Sequence, residues 1–357
     1  MKIVIFGLSI TSSWGNGHAT TFRALVRALS ERGHDVHFYE RDVPWYAANR
    51  DLPSPPFGTT VLYESIANLA IDDGFVRDAD LVVVGSYVPD AVELTRWLYD
   101  VVDAPLAFYD IDTPVTVATL EKEQCTYLSR ESIAWYDLYL SFAGGPVLDR
   151  LHSEFGAALV RPLYCSVDPA LYYQESVPAQ YEIGYLGTYS TDRQPAVERL
   201  LLDVARREPG HRFAIAGAQY PKDVQWPANV RHFEHLPPAD HRSFYNAQRF
   251  TLNVTRSDMI ANGYSPSVRL FEAAACGVPI ISDWWSGLDD FFEPDCEIVI
   301  ASSTEDVQRA LQMDDATRAE MGRRARDRVL SAHTAAHRAQ ELEQYVSEVS
   351  GAPVRLT

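Results

Sequence analysis

The stretch 263–281 carries side chains suited to holding a phosphate and a ribose. Ser265 is a residue type that caps helices, and Pro266 is favoured in a first helical turn. The N-terminus of the helix predicted here offers N–H groups to a phosphate, with Arg269 on its first turns. Glu272 lies one to two turns in, where its carboxylate can accept hydrogen bonds from ribose hydroxyls. The alternative for Glu272 is a structural ion pair with an arginine.

A second candidate phosphate site follows the first apolar run of the C-terminal half. Gly187 and Thr188 stand at the end of that run, and Arg193 comes five residues after Thr188. A glycine lets the backbone approach a ligand closely, and an arginine donates paired hydrogen bonds to phosphate oxygens. The segment is therefore predicted to hold a diphosphate. An ordinary turn, with Asp192 near a helix start, is the other interpretation.

The loop after the first apolar run of the chain contains Trp14, Gly15, Asn16, Gly17 and His18. The glycines allow close backbone approach, and the helix predicted to start at His18 presents its first N–H groups to negative charge. A histidine there can act as a base or hydrogen-bond a substrate hydroxyl. A tight turn is the alternative, and the spacing lacks the third glycine of a dinucleotide fingerprint.

Two carboxylates, Asp110 and Asp112, close the fifth apolar run. Residues one apart at a strand end point the same way, at a position where doubly wound sheets place active-site groups. The pair is suited to orienting an acceptor and, less well, to binding a cation. Helix capping by Asp112 or Thr113, with Pro114 in the first helical turn, is an equally favoured interpretation.

Short apolar runs alternate with longer amphipathic segments along the whole chain, which predicts βαβ units and parallel sheets. Runs such as Leu81–Ser86 are apolar on both faces, as central strands covered by helices are. The first half contains the runs 2–8, 35–40, 59–63, 81–86, 105–110, 137–143 and 158–164. The second half contains the runs 182–188, 212–217, 230–236, 249–255, 278–283 and 297–301.

These runs predict an α/β fold with two doubly wound, Rossmann-like domains facing a central cleft. Residues 167–180 break the rhythm with two prolines and no period, so they are predicted to link the domains. The expected boundaries are 1–166 for the first domain, 167–180 for the linker, 181–334 for the second domain and 335–357 for a final helix.

Composition narrows the classes of partner. The chain has 357 residues and a formal charge of −18, so nucleic acids and anionic membranes are not expected partners. No run approaches the roughly 20 apolar residues of a membrane-spanning helix, and a cytoplasmic monomer or homodimer is expected. The scattered cysteines are expected to be reduced thiols rather than zinc ligands; they are Cys125, Cys165, Cys276 and Cys296.

The stretch Ser265–Ile281 resembles the donor-site signature of GT-B glycosyltransferases. The most specific part is Phe271-Glu272-Ala273 followed by Cys276-Gly277-Val278-Pro279. Other segments are similar to the spore-maturation CgeB-like family within that superfamily, namely 15–18, 40–42, 44–46 and 284–292. The resemblance covers nearly the whole chain and is stronger for the C-terminal half.

The resemblance implies a glycosyltransferase that moves a sugar from a nucleoside-diphosphate sugar, bound by the C-terminal domain, to a small-molecule or glycan acceptor held by the N-terminal domain. It also implies that the last helix crosses back to the N-terminal domain. The implied donor-binding residues are Gly187, Thr188, Arg193, His235, Leu236, Ser265, Pro266, Ser267, Val268, Arg269 and Glu272. The acceptor-side residues are Trp14, Gly15, Asn16, Gly17 and Asp110.

No metal and no cofactor are expected. The Asp110–Asp112 pair falls in the acceptor half, so helix N-termini and arginines are the predicted stabilisers of the departing diphosphate. The lineage of the C-terminal half favours a retaining reaction. However, Tyr264 stands where related retaining enzymes carry a second glutamate, eight residues before Glu272. For an inverting reaction, His18 or Asp112 is the expected general base.

Three other functions use similar sheets. A sugar-nucleotide epimerase would convert the donor without an acceptor, and a non-catalytic nucleotide-sugar-binding protein would leave the donor intact. An NAD-dependent oxidoreductase is disfavoured, because neither half supplies a G-x-G-x-x-G motif followed by an acidic residue at the next strand end.

Overall fold

Two units, each built on its own sheet, make up the chain. The computed structural model describes residues 1–15, 17–69 and 74–350. The first unit contains Met1–Ser166 and the C-terminal helix, and the second contains Val167–Thr334. Asn16, one of the predicted loop residues, lies outside the described residues.

The first unit contains a seven-stranded sheet. Its strands are β1 (Lys2–Gly7), β2 (Asp35–Arg41), β3 (Thr59–Tyr63), β4 (Leu81–Gly85), β5 (Leu106–Asp110), β6 (Leu138–Ser141) and β7 (Val160–Pro162). They pair in parallel in the order β3-β2-β1-β4-β5-β6-β7. The strand order therefore reverses between β1 and β4, and the carboxyl ends of those strands are where open sheets of this kind bind ligands.

Helices connect these strands and cover the sheet. They are α1 (His18–Glu31), α2 (Pro44–Ala47), α3 (Ile66–Leu69), α4 (Gly74–Arg77), α5 (Ala91–Val101), α6 (Thr113–Glu121), α7 (Arg130–Ile133) and α8 (Pro146–Ser153). All residues of β4 and β5 are buried. That burial follows from the uninterrupted apolar runs, which have no polar face to turn toward water.

The second unit contains a six-stranded sheet. Its strands are β8 (Tyr181–Leu186), β9 (Phe213–Ala216), β10 (Val230–Phe233), β11 (Gln248–Asn253), β12 (Ile280–Ser282) and β13 (Val299–Ile300). The order is β10-β9-β8-β11-β12-β13, again parallel. Here the order reverses between β8 and β11, so the loops after these two strands are the expected ligand-binding loops.

The helices of the second unit follow the same alternation. They are α9 (Gln194–Val197), α10 (Asp203–Arg207), α11 (Pro238–Asn246), α12 (Ser257–Asn262), α13 (Val268–Ala275), α14 (Leu288–Phe291), α15 (Thr304–Leu311) and α16 (Asp315–Ala332). A π-helical turn, Glu198–Leu202, joins α9 to α10. Residues 167–180, predicted as a linker, lie in the second unit.

The last helix, α17 (Ala335–Ser350), packs in the first unit against α1. Ala339 and Leu342 are buried in the same apolar cluster as Phe22 of α1. Glu343 pairs with Arg32 at the end of α1, at 2.6 Å. The N-terminal sheet is thus covered partly by a helix that the chain reaches only after the second unit.

The prediction of an α/β fold with two doubly wound parallel sheets is confirmed. Each of the thirteen apolar runs contains a strand, and each strand lies on the expected side of the division between the halves. The runs overestimate some lengths: 278–283 contains only the three residues of β12, and 297–301 contains only the two of β13.

Candidate functional site

Helix α13 begins at Val268, two residues later than the sequence predicts. Ser267 is the residue before the first helical turn, so the assignment of Ser265 as the cap and Pro266 as the opening residue is wrong. The Ser267 hydroxyl does not cap the helix but donates to Asn253 Oδ1 at 2.9 Å. The side-chain bond to the end of β11 fixes the start of the helix beside the strand-order reversal.

The turn before α13 is held by backbone geometry. Gly263 and Tyr264 both have positive φ, 68° and 47°. The Tyr264 N–H donates to the Ser286 carbonyl at 2.7 Å, and a Cβ on Gly263 would lie 2.9 Å from that same oxygen. A side chain is therefore excluded at Gly263 by both conformation and space.

Arg269 is buried and reaches back to the end of β8. Its Nε donates to the Leu186 carbonyl at 2.6 Å, and one terminal nitrogen donates to Asn253 Oδ1 at 2.6 Å. Its guanidinium carbon lies 5.0 Å from the centre of the Tyr185 ring. These hydrogen-bond partners are uncharged, so they orient the Arg269 guanidinium group without neutralising its charge.

Arg193, the residue before α9, is buried in the same region. It donates to the Thr188 carbonyl at 2.5 Å and to the Ser190 hydroxyl at 3.1 Å. Burial lowers the pKa of the Arg193 guanidinium, and the nearby charges of Arg269 and Arg256 lower it further. Across the described ranges, none of these three arginines lies within 4.0 Å of a carboxylate oxygen. The region therefore holds three arginines without a direct ion pair, and the charge of the neighbouring Asp192 offsets part of the effect on Arg193.

Two glycines bring the ends of β8 and β9 together. A Cβ on Gly217 would lie 2.0 Å from the Gly187 carbonyl oxygen, and a Cβ on Gly187 would lie 2.5 Å from the Tyr185 hydroxyl oxygen. The Tyr220 hydroxyl donates to the same Gly187 carbonyl at 3.2 Å. The loop at Gly187 and Thr188 is thus fixed next to both buried arginines.

Glu272 lies on α13 with 3% of its surface exposed. Its Oε2 accepts a hydrogen bond of 2.8 Å from the Tyr245 hydroxyl of α11. The alternative ion pair with an arginine is not found within the described part of the chain. Burial, followed by the Glu272 charge, raises the pKa of both Tyr245 and Tyr172. The predicted contact of Glu272 with ribose stays a prediction.

His235 and Leu236 follow β10, in a turn that, by the family resemblance, is expected to face the nucleobase. His235 is exposed, whereas Leu236 packs partly against the apolar cluster of Tyr181 and Phe244. The Leu236 carbonyl lies 3.1 Å from His241 Nε2. The backbone of this turn is therefore fixed while the His235 side chain is accessible, and the base contact itself stays a prediction.

In the first unit, Glu40 at the end of β2 fixes the loop after β1. Its Oε2 accepts from the N–H groups of Ile10 and Thr11 at 2.7 and 2.9 Å, and its Oε1 accepts from the Thr11 hydroxyl at 2.6 Å. The carboxylate is fully buried. The only signal in the sequence is a charged residue directly after the apolar residues of β2.

His18 begins α1 and lies edge-to-face on Tyr87, with the ring centres 5.4 Å apart. Its Nδ1 is buried and has no hydrogen-bond partner within the described ranges. Burial lowers the pKa of the imidazole to about 4, so His18 is neutral near pH 7. A neutral imidazole with an unused nitrogen can accept a proton or a hydrogen bond.

Tyr87 contacts both His18 and Asp112. Its hydroxyl donates to Asp112 Oδ2 at 2.9 Å, and its backbone has φ of 62°, which is strained for a large side chain. Asp112 directly precedes α6 but makes no side-chain capping bond, and Pro114 lies in the first helical turn as expected. Sequence reasoning missed Tyr87, because no motif marks this contact between loops.

Asp110 is fully buried beneath this group. It accepts hydrogen bonds of 2.6 Å from both the Tyr139 and the Thr116 hydroxyls. Burial raises the pKa of the Asp110 carboxyl to about 6, and those donors limit the rise. Because its oxygens are occupied by internal donors, Asp110 serves to fix the end of β5.

The tryptophans differ in exposure. Trp14 and Trp284 each expose about half of their surface, at 54% and 48%, whereas Trp285 is buried at 1%. Trp285 packs against Phe291, with the ring centres 5.9 Å apart. Gly15 has φ of 69°, and Gly17 directly precedes α1, so these two glycines shape the loop between Trp14 and His18.

Comparison with known proteins identifies the architecture. Residues 193–344 match the family model described as glycosyl transferase-like. The sucrose-phosphate synthase of Thermosynechococcus elongatus superposes with a TM-score of 0.71 at 14% identity, over 98% of this chain and 99% of that one. The chain has the GT-B fold.

Other GT-B structures give the same result. An alpha-glucosyltransferase in complex with UDP and a 13-mer DNA has a TM-score of 0.71 at 14% identity, covering 97% of this chain and 99% of that one. HepE of Anabaena, in complex with UDP-glucose, has a TM-score of 0.67 at 12% identity, with the same coverage. No curated protein matches the sequence significantly.

No helix in the described ranges is both long enough and apolar enough to cross a membrane. The same residues contain no group of three or more histidine, cysteine or acidic side chains arranged to hold a metal ion.

Proposed function

We propose that the chain is a glycosyltransferase whose second unit binds a nucleoside-diphosphate sugar and whose first unit binds the acceptor. The observation that carries the proposal is the pair of buried arginines, Arg193 and Arg269. Both are directed by carbonyl groups near the end of β8 and neither has a carboxylate partner. Buried charge without a partner is unfavourable unless a ligand of opposite charge completes the site.

The donor is proposed to be a UDP-sugar, and the transferred group a hexose. Support comes from the solved structures of similar fold, in which HepE holds UDP-glucose and the alpha-glucosyltransferase holds UDP. The diphosphate lies at the reversal between β8 and β11, against Gly187, Thr188 and the start of α13. The ribose reaches Glu272, and the base lies toward His235 and Leu236.

Transfer breaks the bond between the anomeric carbon and the terminal phosphate oxygen, and the electron pair stays on that oxygen. The acceptor oxygen bonds to the anomeric carbon, and its proton passes to a base or to the released phosphate. The arginines and the N-terminal N–H groups of α13 stabilise the charge that develops on the phosphate. Because these groups supply the positive charge, the reaction is proposed to need neither metal nor cofactor.

The acceptor side consists of the loop at Trp14–His18 with Asp112, and the buried Asp110 positions Asp112 by accepting from its N–H at 3.2 Å. The proposed outcome is retention of configuration; for inversion, His18 or Asp112 takes the acceptor proton.

The acceptor is proposed to be a small molecule or a glycan. The DNA in the structure of the alpha-glucosyltransferase belongs to that protein. A net charge of −18 opposes nucleic-acid binding by this chain. The protein is proposed to be cytoplasmic, as a monomer or homodimer.

Donor turnover tests the proposal. The purified protein is incubated with UDP-glucose, UDP-galactose, UDP-N-acetylglucosamine and GDP-mannose, with and without an acceptor panel, and released nucleoside diphosphate is measured. Acceptor-dependent release of UDP is expected, with the product anomer read by proton NMR. Epimerised donor without acceptor would identify an epimerase. Binding without consumption would identify a nucleotide-sugar-binding protein.

A chelator tests the metal proposal in the same assay. Activity in excess EDTA is expected to equal activity without it. Complete loss that manganese or magnesium restores would contradict metal independence.

A further inference from the structure

A third arginine, Arg256, lies beside the two buried ones. It follows β11 and directly precedes α12, at the carboxyl end of the sheet where the strand order reverses. Unlike Arg193 and Arg269 it is exposed. It makes no side-chain hydrogen bond or ion pair within the described part of the chain. Its guanidinium donors are therefore all available to a ligand.

The backbone on both sides of Arg256 is fixed by carboxylates. Thr255 donates to Asp283 through its N–H at 2.9 Å and its hydroxyl at 2.7 Å. Ser257 donates to Asp192 through its N–H at 3.0 Å. Asp192 is the neighbour of Arg193, so this last bond joins the loop after β11 to the loop after β8. Arg256 is thereby held next to the Arg193 loop, with its own side chain exposed.

All three arginines are placed near the loop that follows β8. Arg269 is bonded to Leu186 and Arg193 to Thr188, both through carbonyl oxygens, so much of their donor capacity is committed to the protein. The bond between Ser257 and Asp192 places Arg256 beside the loop of Arg193, and the charge of Arg256 lowers the pKa of Arg193. Asp192 offsets part of the repulsion between the two arginines, and a bound phosphate would offset more of it.

We infer that Arg256 is a substrate-binding residue that contacts the terminal phosphate of the nucleoside diphosphate and stabilises it as the leaving group. This inference rests on the proposed donor site and adds a residue that neither the sequence motifs nor the family resemblance assigns. The terminal phosphate gains negative charge when its bond to the sugar breaks, and the electron pair stays on its oxygen. An arginine with free donors then gains a stronger hydrogen bond in the transition state than in the ground state.

Calorimetric titration of the protein with UDP and with UMP tests whether Arg256 contacts the terminal phosphate or attracts any nucleotide through its charge. Arg256→Gln is expected to weaken UDP binding by roughly tenfold or more, as loss of a charge-assisted hydrogen bond does, and to leave UMP binding within about twofold. Arg256→Lys keeps the charge and is expected to recover part of the UDP affinity. Arg309→Gln, which removes an exposed arginine on α15, serves as the control and is expected to change neither affinity.

Turnover gives the second measurement. Arg256→Gln is expected to lower kcat by about 10- to 100-fold, with a smaller change in the KM for the donor, because the contact strengthens in the transition state. Unchanged UDP affinity and kcat in Arg256→Gln would overturn the inference, as would equal losses for UDP and UMP.

The proposed donor site is tested separately by Arg193→Gln. If Arg193→Gln loses UDP affinity and Arg256→Gln does not, only the role of Arg256 is wrong. If wild-type protein binds neither UDP nor UMP, the donor site itself is wrong. Thermal unfolding without ligand verifies folding of each variant, and the exposed Arg256→Gln is expected to unfold at the wild-type temperature.

Discussion

The Tyr245 hydroxyl donates a 2.8 Å hydrogen bond to the Glu272 carboxylate inside the second unit. Both residues are buried, and Tyr245 is fully so. The bond orients the only carboxylate on α13 before any nucleotide is bound. One carboxylate can accept several hydrogen bonds, so Glu272 can keep Tyr245 while accepting from ribose.

Glu272 is expected to discriminate ribose from 2′-deoxyribose. Wild-type protein should bind UDP more tightly than 2′-deoxy-UDP, because the missing hydroxyl leaves a buried acceptor unsatisfied. Glu272→Gln should lose most of that preference, whereas Tyr245→Phe should keep it with a smaller loss of stability. Calorimetric titration with both nucleotides measures the preference. An unchanged ratio in Glu272→Gln would remove Glu272 from the ribose site.

Glu40→Gln is expected to loosen the loop after β1. The charged acceptor of three hydrogen bonds becomes a neutral amide, and each charge-assisted bond contributes about 1.5–3 kcal/mol. Hydrogen exchange at the Ile10 and Thr11 amides should therefore accelerate markedly, and transfer activity should fall. Glu31→Gln, an exposed acidic residue on α1, is the control. Unchanged exchange at both amides would show that Glu40 does not hold the loop.

Burial of Asp110 is expected to make the free energy of unfolding decrease as pH rises. Its folded-state pKa is about 6, above the ordinary value of 3.8. The folded protein therefore binds more protons than the unfolded chain between these values, and its free energy of unfolding decreases from about pH 4 to about pH 6. The predicted decrease is about 3 kcal/mol. Urea unfolding of wild type and Asp110→Asn at several pH values measures it, because the variant should lack this contribution. Parallel profiles for the two proteins would contradict the buried-carboxyl assignment.

His18 is expected to titrate near pH 4, where burial places its pKa, rather than near its ordinary value of 6.5. The lowered pKa means that the folded state binds fewer protons than the unfolded chain between these values. Its contribution to stability is therefore lost as pH falls from 6.5 toward 4. NMR titration of the imidazole, assigned by comparison with His18→Asn, measures the midpoint. A midpoint near 6.5 would mean that the ring is solvated.

Tyr87→Phe is expected to uncouple Asp112 from His18 without unfolding the first unit. The phenyl ring keeps the edge contact with His18 but cannot donate to Asp112. If Asp112 takes part in transfer, kcat should fall by roughly tenfold while thermal stability changes little. Tyr99→Phe, at an exposed site on α5, is the control. Equal activity in Tyr87→Phe and wild type would remove the Tyr87 bond from the mechanism.

Most of the fold could be predicted from the hydrophobic pattern of the sequence. The runs around Val83 and Phe108 are apolar on both faces, and such segments can only be central strands once helices cover them. The lengths of the short strands β12 and β13 were overestimated, because flanking residues such as Val278 are buried although they lie outside the strand. Burial and strand pairing are separate properties, and a sequence pattern reports the first.

Only some residues of the candidate sites could be predicted from the sequence. Arg193 and Arg269 stand near glycines or in a motif, so their types and spacing reveal them. Tyr87 and Tyr245 bond residues that are distant in the chain, and Arg256 is placed by the fold beside a loop that is distant in the chain. Nothing in the neighbouring sequence distinguishes these three residues from other surface or core residues. The start of α13 was misplaced because Ser267 donates to Asn253, a partner in another strand, instead of capping its own helix.

The packing of α17 on α1 determines when the N-terminal unit can finish folding. During synthesis, α1 leaves the ribosome more than three hundred residues ahead of α17, whose Ala339 and Leu342 belong to the same apolar cluster as Phe22. The second unit, by contrast, is contiguous from Val167 to Thr334 and can close as soon as it emerges. The first unit is therefore the first to be translated but the last to be completed, because it needs the helix at the end of the chain.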